Sequence, residues 1–321
     1  MRSRSLHKRA TFQIRPTPPF HFDGTFHKPS HFPAPINAWQ TGKFWQTLRV
    51  GRRLYGVRID EVGTNSRLRV SIFHSRSVSA RDLELLKSEL VWRFDLEADL
   101  REFARLARKD DHTRAVFQRW RGTRDSCSNS LYELLVIAIL LQNATIRRTV
   151  QMMRALLEAF GTRLTFDSQS LFAMWRPEDL ASVSEDELKA LKIGYRARFL
   201  KRLSDDFARG AVNEIELRTL DPEPARKALL RLHGVGPETA RILLYPACHR
   251  YSPLSHIAPW QQKIYSRLFY DQALVSTRKI LKDLNARYGD YASLAVVYVW
   301  EDLFWRHSRT PIPWLQKEIR L

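Results

Sequence analysis

The stretch Leu229-Leu-Arg-Leu-His-Gly-Val-Gly-Pro-Glu-Thr-Ala-Arg-Ile-Leu-Leu244 carries residue types that suit phosphate binding. An apolar helical run ends at Gly234-Val235-Gly236, and a second helix opens on Pro237 and the acidic Glu238. Glycine just beyond one helix and proline just inside the next is the punctuation of a tight helical hairpin. The second helix starts without side-chain bulk. Its free N–H groups therefore face outward, an arrangement that fits one phosphate. Spacing alone is equally compatible with a corner in an all-α core, so the rest of the chain has to decide.

Composition narrows the choice. The chain has 321 residues, 44% of them hydrophobic, which is room for two domains with full cores. No apolar run approaches a membrane span. The segment Met1–Arg9 is basic and lacks the apolar stretch of a secretory signal. The expectation is a cytoplasmic, nucleoid-associated protein, or a nuclear one in a cell with a nucleus. Cys127 and Cys248 are too few for a disulfide framework, an iron–sulfur cluster or a Cys-rich zinc site. His21, His27 and His31 sit among Phe and Pro and read as structural or surface residues. A net charge of +19 points to a polyanionic partner, nucleic acid first and an acidic membrane surface second. A generally basic proteome would give the same charge, and nucleic acid is favoured over it.

Along the chain, residues 1–19 read as a basic, Pro-rich flexible arm. Residues 20–108 read as an antiparallel α+β domain. Its strands are Phe20–Phe26, Phe44–Val50, Leu54–Ile59 and Leu68–Phe73, with turns at Gly51-Arg52 and Gly63–Ser66. Helical periods follow over 79–93 and 96–108. Residues 109–321 read as all-α. Helices are expected at 113–120, 130–142, 145–160, 168–174, 177–182, 185–190, 195–209, 222–232, 237–247, 258–269, 275–288, 290–305 and 312–319. The fold class is thus α+β, an N-terminal antiparallel sheet followed by a helical domain.

Several segments in this order resemble one family, the helix–hairpin–helix DNA glycosylases of base-excision repair. Leu232-His-Gly-Val-Gly-Pro-Glu-Thr-Ala240 is similar to the family's L-P-G-[VI]-G-x-x-[TV]-A hairpin, with His233 in place of Pro. Glu133–Asn143 resembles the helix that ends at the DNA minor groove. Leu191–Leu200 resembles the G-[YF]-R-A-x-Y-[IL] segment, and Val91–Leu100 the helical entry after the small β domain of the alkyladenine and 8-oxoguanine branches. The resemblance spans roughly residues 20–308. It implies that Gly234, Val235, Gly236 and Thr239 clamp a phosphate through main-chain amides, with a monovalent metal ion held on the hairpin carbonyls in many members. It implies that Gln142-Asn143 supplies the wedge that fills the gap left by an extruded base, unless these two simply cap helices. No iron–sulfur cluster or other cofactor is implied. The implied partner is double-stranded DNA with a damaged base, engaged by a monomer and with no membrane involved.

Two departures bear on chemistry. Bifunctional members carry a Lys two residues after the second glycine of the hairpin. This chain has Glu238 there, and a carboxylate forms no Schiff base. Helix-terminal charge is the simpler role for Glu238. Active members also carry an Asp at the start of the helix after the hairpin, and aligning Ile264, Arg267 and Leu268 puts that position at Ala258. No Asp or Glu occurs from Arg241 through Tyr270. Ala258 then marks an inactivated or substituted copy, a natural non-catalytic reader, or a chain in which another residue has taken over. His256, Asp271, Glu238, Asp290, Glu301 and Asp302 are the alternatives, with His256 nearest in sequence. Trp260 is the leading base-pocket residue, with Tyr132 and Trp175 as further candidates beside Tyr195, Tyr245 and Trp300. Arg147, Arg148, Arg241 and Lys263 are candidate phosphate contacts.

The reading is therefore a monofunctional DNA glycosylase acting on an alkylated or oxidised purine. The alternative from another class is a non-catalytic damaged-DNA or DNA-shape binding protein on the same scaffold.

Overall fold

The computed structural model describes residues 2–31, 33–63 and 67–319. The chain begins with strands β1 (Arg2–Ser5) and β2 (Lys8–Ile14) and the short helix α1 (Phe22–Phe26). Strands β3 (Asn37–Gln40), β4 (Lys43–Val50), β5 (Arg53–Val62) and β6 (Arg67–His74) follow, then helix α2 (Ala80–Arg93). Strands β2 to β6 form one antiparallel sheet in the order β2-β6-β5-β4-β3. Val57 pairs with Ile72 and Ile59 with Val70, and all four are fully buried. Alternation puts them on one face, where Leu86 and Leu90 of α2 close the core. A capping box starts α2: Ser79 Oγ accepts from Asp82 N–H at 3.1 Å, and Asp82 Oδ2 accepts from Ser79 N–H at 3.3 Å.

The chain then becomes helical: α3 (Arg101–Ala107), α4 (Asp111–Arg119), α5 (Leu131–Leu141) and α6 (Ile146–Phe160). A hairpin of β7 (Thr162–Phe166) and β8 (Gln169–Ala173) interrupts it. The helices resume with α7 (Pro177–Ala181), α8 (Glu185–Ala190), α9 (Arg196–Ala208), α10 (Glu214–Leu217), α11 (Pro222–Leu230) and α12 (Pro237–Cys248). The chain ends with α13 (Pro259–Tyr270), α14 (Thr277–Tyr288), α15 (Ala292–Arg309) and α16 (Pro313–Ile319). The architecture is α+β, as the sequence led us to expect.

Three expectations need correction. The flexible arm assigned to residues 1–19 contains two paired strands. β1 runs parallel to β7, and β2 pairs with β6. All four residues of β1 are exposed, so it has no apolar alternation to read, and its hydrogen bonds go to a strand some 160 residues away. The strand expected at Phe20–Phe26 is instead α1. His21 Nδ1 caps the Gly24 N–H at 3.1 Å, and Phe22 and Phe26, four residues apart, share its buried side. The helix expected at 168–174 is strand β8, which lies against β4 through Thr47 Oγ1 to Phe172 O at 2.9 Å. Of the turn expected at Gly63–Ser66, residues 64–66 lie outside the described residues.

The β7–β8 hairpin packs on the five-stranded sheet. Trp45 Nε1 donates to Asp167 at 2.6 Å, and Arg58 reaches the same carboxylate at 2.9 and 3.0 Å. A second seam runs from α2 to α5 and α10. Arg93 holds Glu89 at 2.8 Å and Glu133 at 3.4 Å, while Arg218 holds Glu89 at 3.0 Å and Glu214 at 2.7 Å. Burial would raise the Glu89 carboxyl, but Arg93 and Arg218 outweigh it and hold the group at about 2. A carboxylate with a depressed folded-state value contributes stability above its unfolded value. That stability is lost as pH falls through the folded value. The unfolding free energy from urea titrations is therefore expected to drop between pH 4.5 and 2, by about 1–2 kcal/mol from this group once its partial exposure is discounted. Glu89→Gln should flatten that segment of a pH series, and an unchanged slope would refute the assignment.

Candidate nucleic-acid interface

The hairpin forms as its glycines require. Gly234 has φ +85°, a left-handed conformation, and a Cβ there would lie 3.2 Å from the Phe199 ring. Val235 N–H closes the turn on Leu232 O at 3.1 Å, and the Val235 side chain is buried. Gly236 is the N-cap of α12 in extended conformation, with open space where a Cβ would stand. The first intrahelical bond runs from Ala240 N–H to Gly236 O at 2.9 Å. The amides of Gly236, Glu238 and Thr239 precede it, and these are the orphan donors of a helix start. An anion is drawn there by donors and dipole together. His233 stacks edge-on against Phe199 at 4.9 Å and fills the place of the usual proline.

The hairpin carbonyls are partly engaged. Leu232 O accepts from Val235, and Gly234 O accepts from Gln142 Nε2 at 2.6 Å. The amides are the part of the hairpin that suits a phosphate.

The bond from Gln142 to Gly234 joins the hairpin to the turn between α5 and α6. Gln142 caps the end of α5, and its carbonyl also receives the Arg196 guanidinium and the Tyr195 hydroxyl. Thr145, not Asn143, is the N-cap of α6, its Oγ1 accepting from Arg148 N–H at 3.2 Å. Asn143 is exposed with φ +49° and leans its amide on Tyr195 Oη at 3.3 Å. The chain holds this side chain outward at a strained residue that caps neither helix. Arg196 is buried and lies 4.7 Å from the Tyr195 ring centroid, so it braces the turn from below. Sequence reasoning assigns no role to Arg196 or Phe199. The Tyr195-Arg196-Ala197 match is the signal that points to them, but it names no contact.

The junction between α12 and α13 is the other half of the site. Ala258 is the buried N-cap of α13, and its N–H donates to Gln261 Oε1 at 3.1 Å. It offers no side-chain acceptor to the helix start. Trp260 is 44% exposed and meets Trp300 edge-on at 5.6 Å, making an aromatic wall beside that position. Glu238 and Arg241 pair through two bonds of 3.0 and 2.7 Å. His256 Nε2, two residues before Ala258, lies 3.8 Å from Glu238 Oε2.

The remaining candidates divide. Arg147 is exposed in the first turn of α6. Arg148 is committed in part to Lys192 O. Arg241 is committed in part to Glu238 through its Nε and Nη2. Lys263 is half exposed and pairs with Glu318 of α16 at 3.1 Å. Tyr132 and Trp175 are buried in the helical core, where Trp175 Nε1 donates to Tyr132 Oη at 3.1 Å and Tyr132 Oη meets Ser204 Oγ at 2.8 Å. Both therefore leave the base-pocket set, because a buried aromatic with a satisfied polar tip is core. Tyr245 is likewise buried, its hydroxyl on Asp95.

Residues 136–296 match the family model described as HhH-GPD superfamily base excision DNA repair protein. The chain belongs to that superfamily. This HhH-GPD protein is 22% identical over 234 residues to a DNA-3-methyladenine glycosylase of Bacillus subtilis, covering 69% of this chain and 73% of the relative. Its fold is similar to that of the 3-methyladenine DNA glycosylase of Archaeoglobus fulgidus, with TM-score 0.72, 17% identity, and 94% and 99% of the two chains covered. It is also similar to that of the 8-oxoguanine glycosylase/lyase of Clostridium acetobutylicum in its apo form, with TM-score 0.67, 20% identity, and coverage of 94% and 99%. In this HhH-GPD fold, the matched segment begins within α5 and ends within α15, so it includes the Asn143 turn, the hairpin and the Ala258 junction.

Proposed function

We propose that this protein is a monofunctional DNA glycosylase that excises an alkylated or oxidised purine from duplex DNA. The observation that carries the reading is the Gln142–Gly234 bond. It ties the turn that presents the polar side chain of Asn143 to an anion-binding helix start. A phosphate clamp fixes the backbone while a short wedge occupies a vacated stack, which is the division of labour that base extrusion needs. Trp260 and Trp300 supply a stacking wall next to the α13 start. The purine class follows the activities named for the relatives. Glu238 excludes amine chemistry at that position, so the reaction ends at an abasic site.

Ala258 favours a second reading, a damage reader without chemistry. The two separate in one assay. Duplexes carrying single methylated or oxidised purines are incubated with the wild-type chain and with Ala258→Asp, then treated with alkali. The substitution would place a carboxylate at the helix start, facing a developing sugar cation. Excision is expected to rise about 100-fold, the scale of one preorganised electrostatic contact. Lesion-selective binding with no cleavage by either form would replace the enzyme reading with the reader.

A further inference from the structure

We propose that Glu238 is the carboxylate that stabilises the sugar cation in this chain. The inference rests on the glycosylase reading and adds the acting group to it.

Three observations carry it. First, Glu238 stands in the first turn of α12, among the free amides of the phosphate clamp. Second, its carboxylate faces the entry to α13: His256 Nε2 lies 3.8 Å from Oε2. The buried Tyr265 of α13, whose hydroxyl is pushed up by burial first, also feels Arg241 and Glu238 across the same junction. Third, the other carboxylates named as replacement candidates are placed elsewhere. Asp271 caps the opposite end of the twelve-residue α13, roughly 18 Å along the helix axis. Asp302 is held by Arg119, Arg306 and the Trp120 indole. Glu301 is buried and accepts from Ser30. Asp290 sits in the 3₁₀ turn that follows α14. Of these candidates, Glu238 is the acid that the fold brings to the hairpin side of Ala258.

The bidentate pair with Arg241 aims the carboxylate, and an Arg–carboxylate fork holds it in one geometry. Its side chain remains about one third exposed, at 35%, so one side is open to a ligand. In the reaction, the C1′–N bond breaks with its electron pair on the departing base, and a water oxygen bonds to C1′. The water's proton passes by way of Glu238 to the base or to solvent. The carboxylate's negative charge opposes the positive charge that develops at C1′ before the water adds.

The test uses the full chain and three variants, Glu238→Gln, Ala258→Asp and the double variant. The probes are DNA methylated with dimethyl sulfate and a duplex with a single 8-oxoguanine, under single-turnover conditions. Affinity for a duplex carrying a tetrahydrofuran abasic analogue is measured in parallel, since glutamine keeps a hydrogen-bond acceptor for Arg241. Glu238→Gln is expected to slow base release about thirtyfold with affinity within threefold, and the double variant to recover most of that loss. Unchanged release by Glu238→Gln overturns the proposal. Release by Ala258→Asp but none by wild type also overturns it, and leaves the glycosylase reading standing. No release by any form removes both.

Discussion

Gly236→Asp is expected to lower affinity for duplex DNA about 100-fold while leaving the fold intact. Two features of the N-cap make this a clean experiment. A Cβ at residue 236 meets nothing within 4 Å, and φ −91° with ψ 176° is extended backbone open to any residue. Aspartate is moreover among the best N-caps, so the thermal midpoint should hold or rise slightly. The new carboxylate, however, takes the amides that a phosphate needs and repels it. Two like charges about 4 Å apart near a surface cost up to about 4 kcal/mol, and solvent leaves roughly 3 kcal/mol of that, a factor of about 100. Fluorescence anisotropy on an undamaged duplex, with a melting curve alongside, checks both halves. Unchanged affinity would make the hairpin a structural corner.

Arg93→Ala is expected to destabilise the protein by about 3–5 kcal/mol, because it removes one partner from a buried network. Arg93 is 8% exposed and makes three contacts: Glu89 at 2.8 Å, Glu133 at 3.4 Å and the Ser128 carbonyl at 2.8 Å. Glu133 also closes the capping box that starts α5, the helix that ends at the Asn143 turn. Removing the guanidinium leaves Glu89 to Arg218 alone and Glu133 without its cation, both near the seam between the sheet layer and the helices. Urea denaturation reads the loss directly. A shift below about 1 kcal/mol would mean the pair contributes no more than a surface bridge.

The elements that position the site were legible wherever their information is local. The hairpin announced itself through Gly234, Gly236 and Pro237, whose backbone demands are written in residue type. Helices α5, α6, α12 and α13 form within a residue of their expected bounds, and Pro237 opens α12. Strands β4 to β6 showed alternation and glycine turns. Elements whose partners are distant were misread. β1 carries Arg-Ser-Arg-Ser and looks like a tail, yet pairs with β7. The segment around Gln169–Ala173 was expected to be helical and takes its conformation from β7 and β4.

The candidate site divides along the same line. The sequence by itself determined the tight hairpin at Gly234, Gly236 and Pro237, a matter of local residue type, and its resemblance to the family marked Asn143, Glu238 and Ala258 as the positions to examine. Only the tertiary structure decided that Gln142 ties the turn to the hairpin, that Arg196 braces it, that Tyr132 and Trp175 are core, and that Glu238 meets His256. The physical reason is range. Backbone punctuation acts within a few residues, whereas these contacts join groups from 18 to 92 residues apart, and a pattern along the chain carries no register for them.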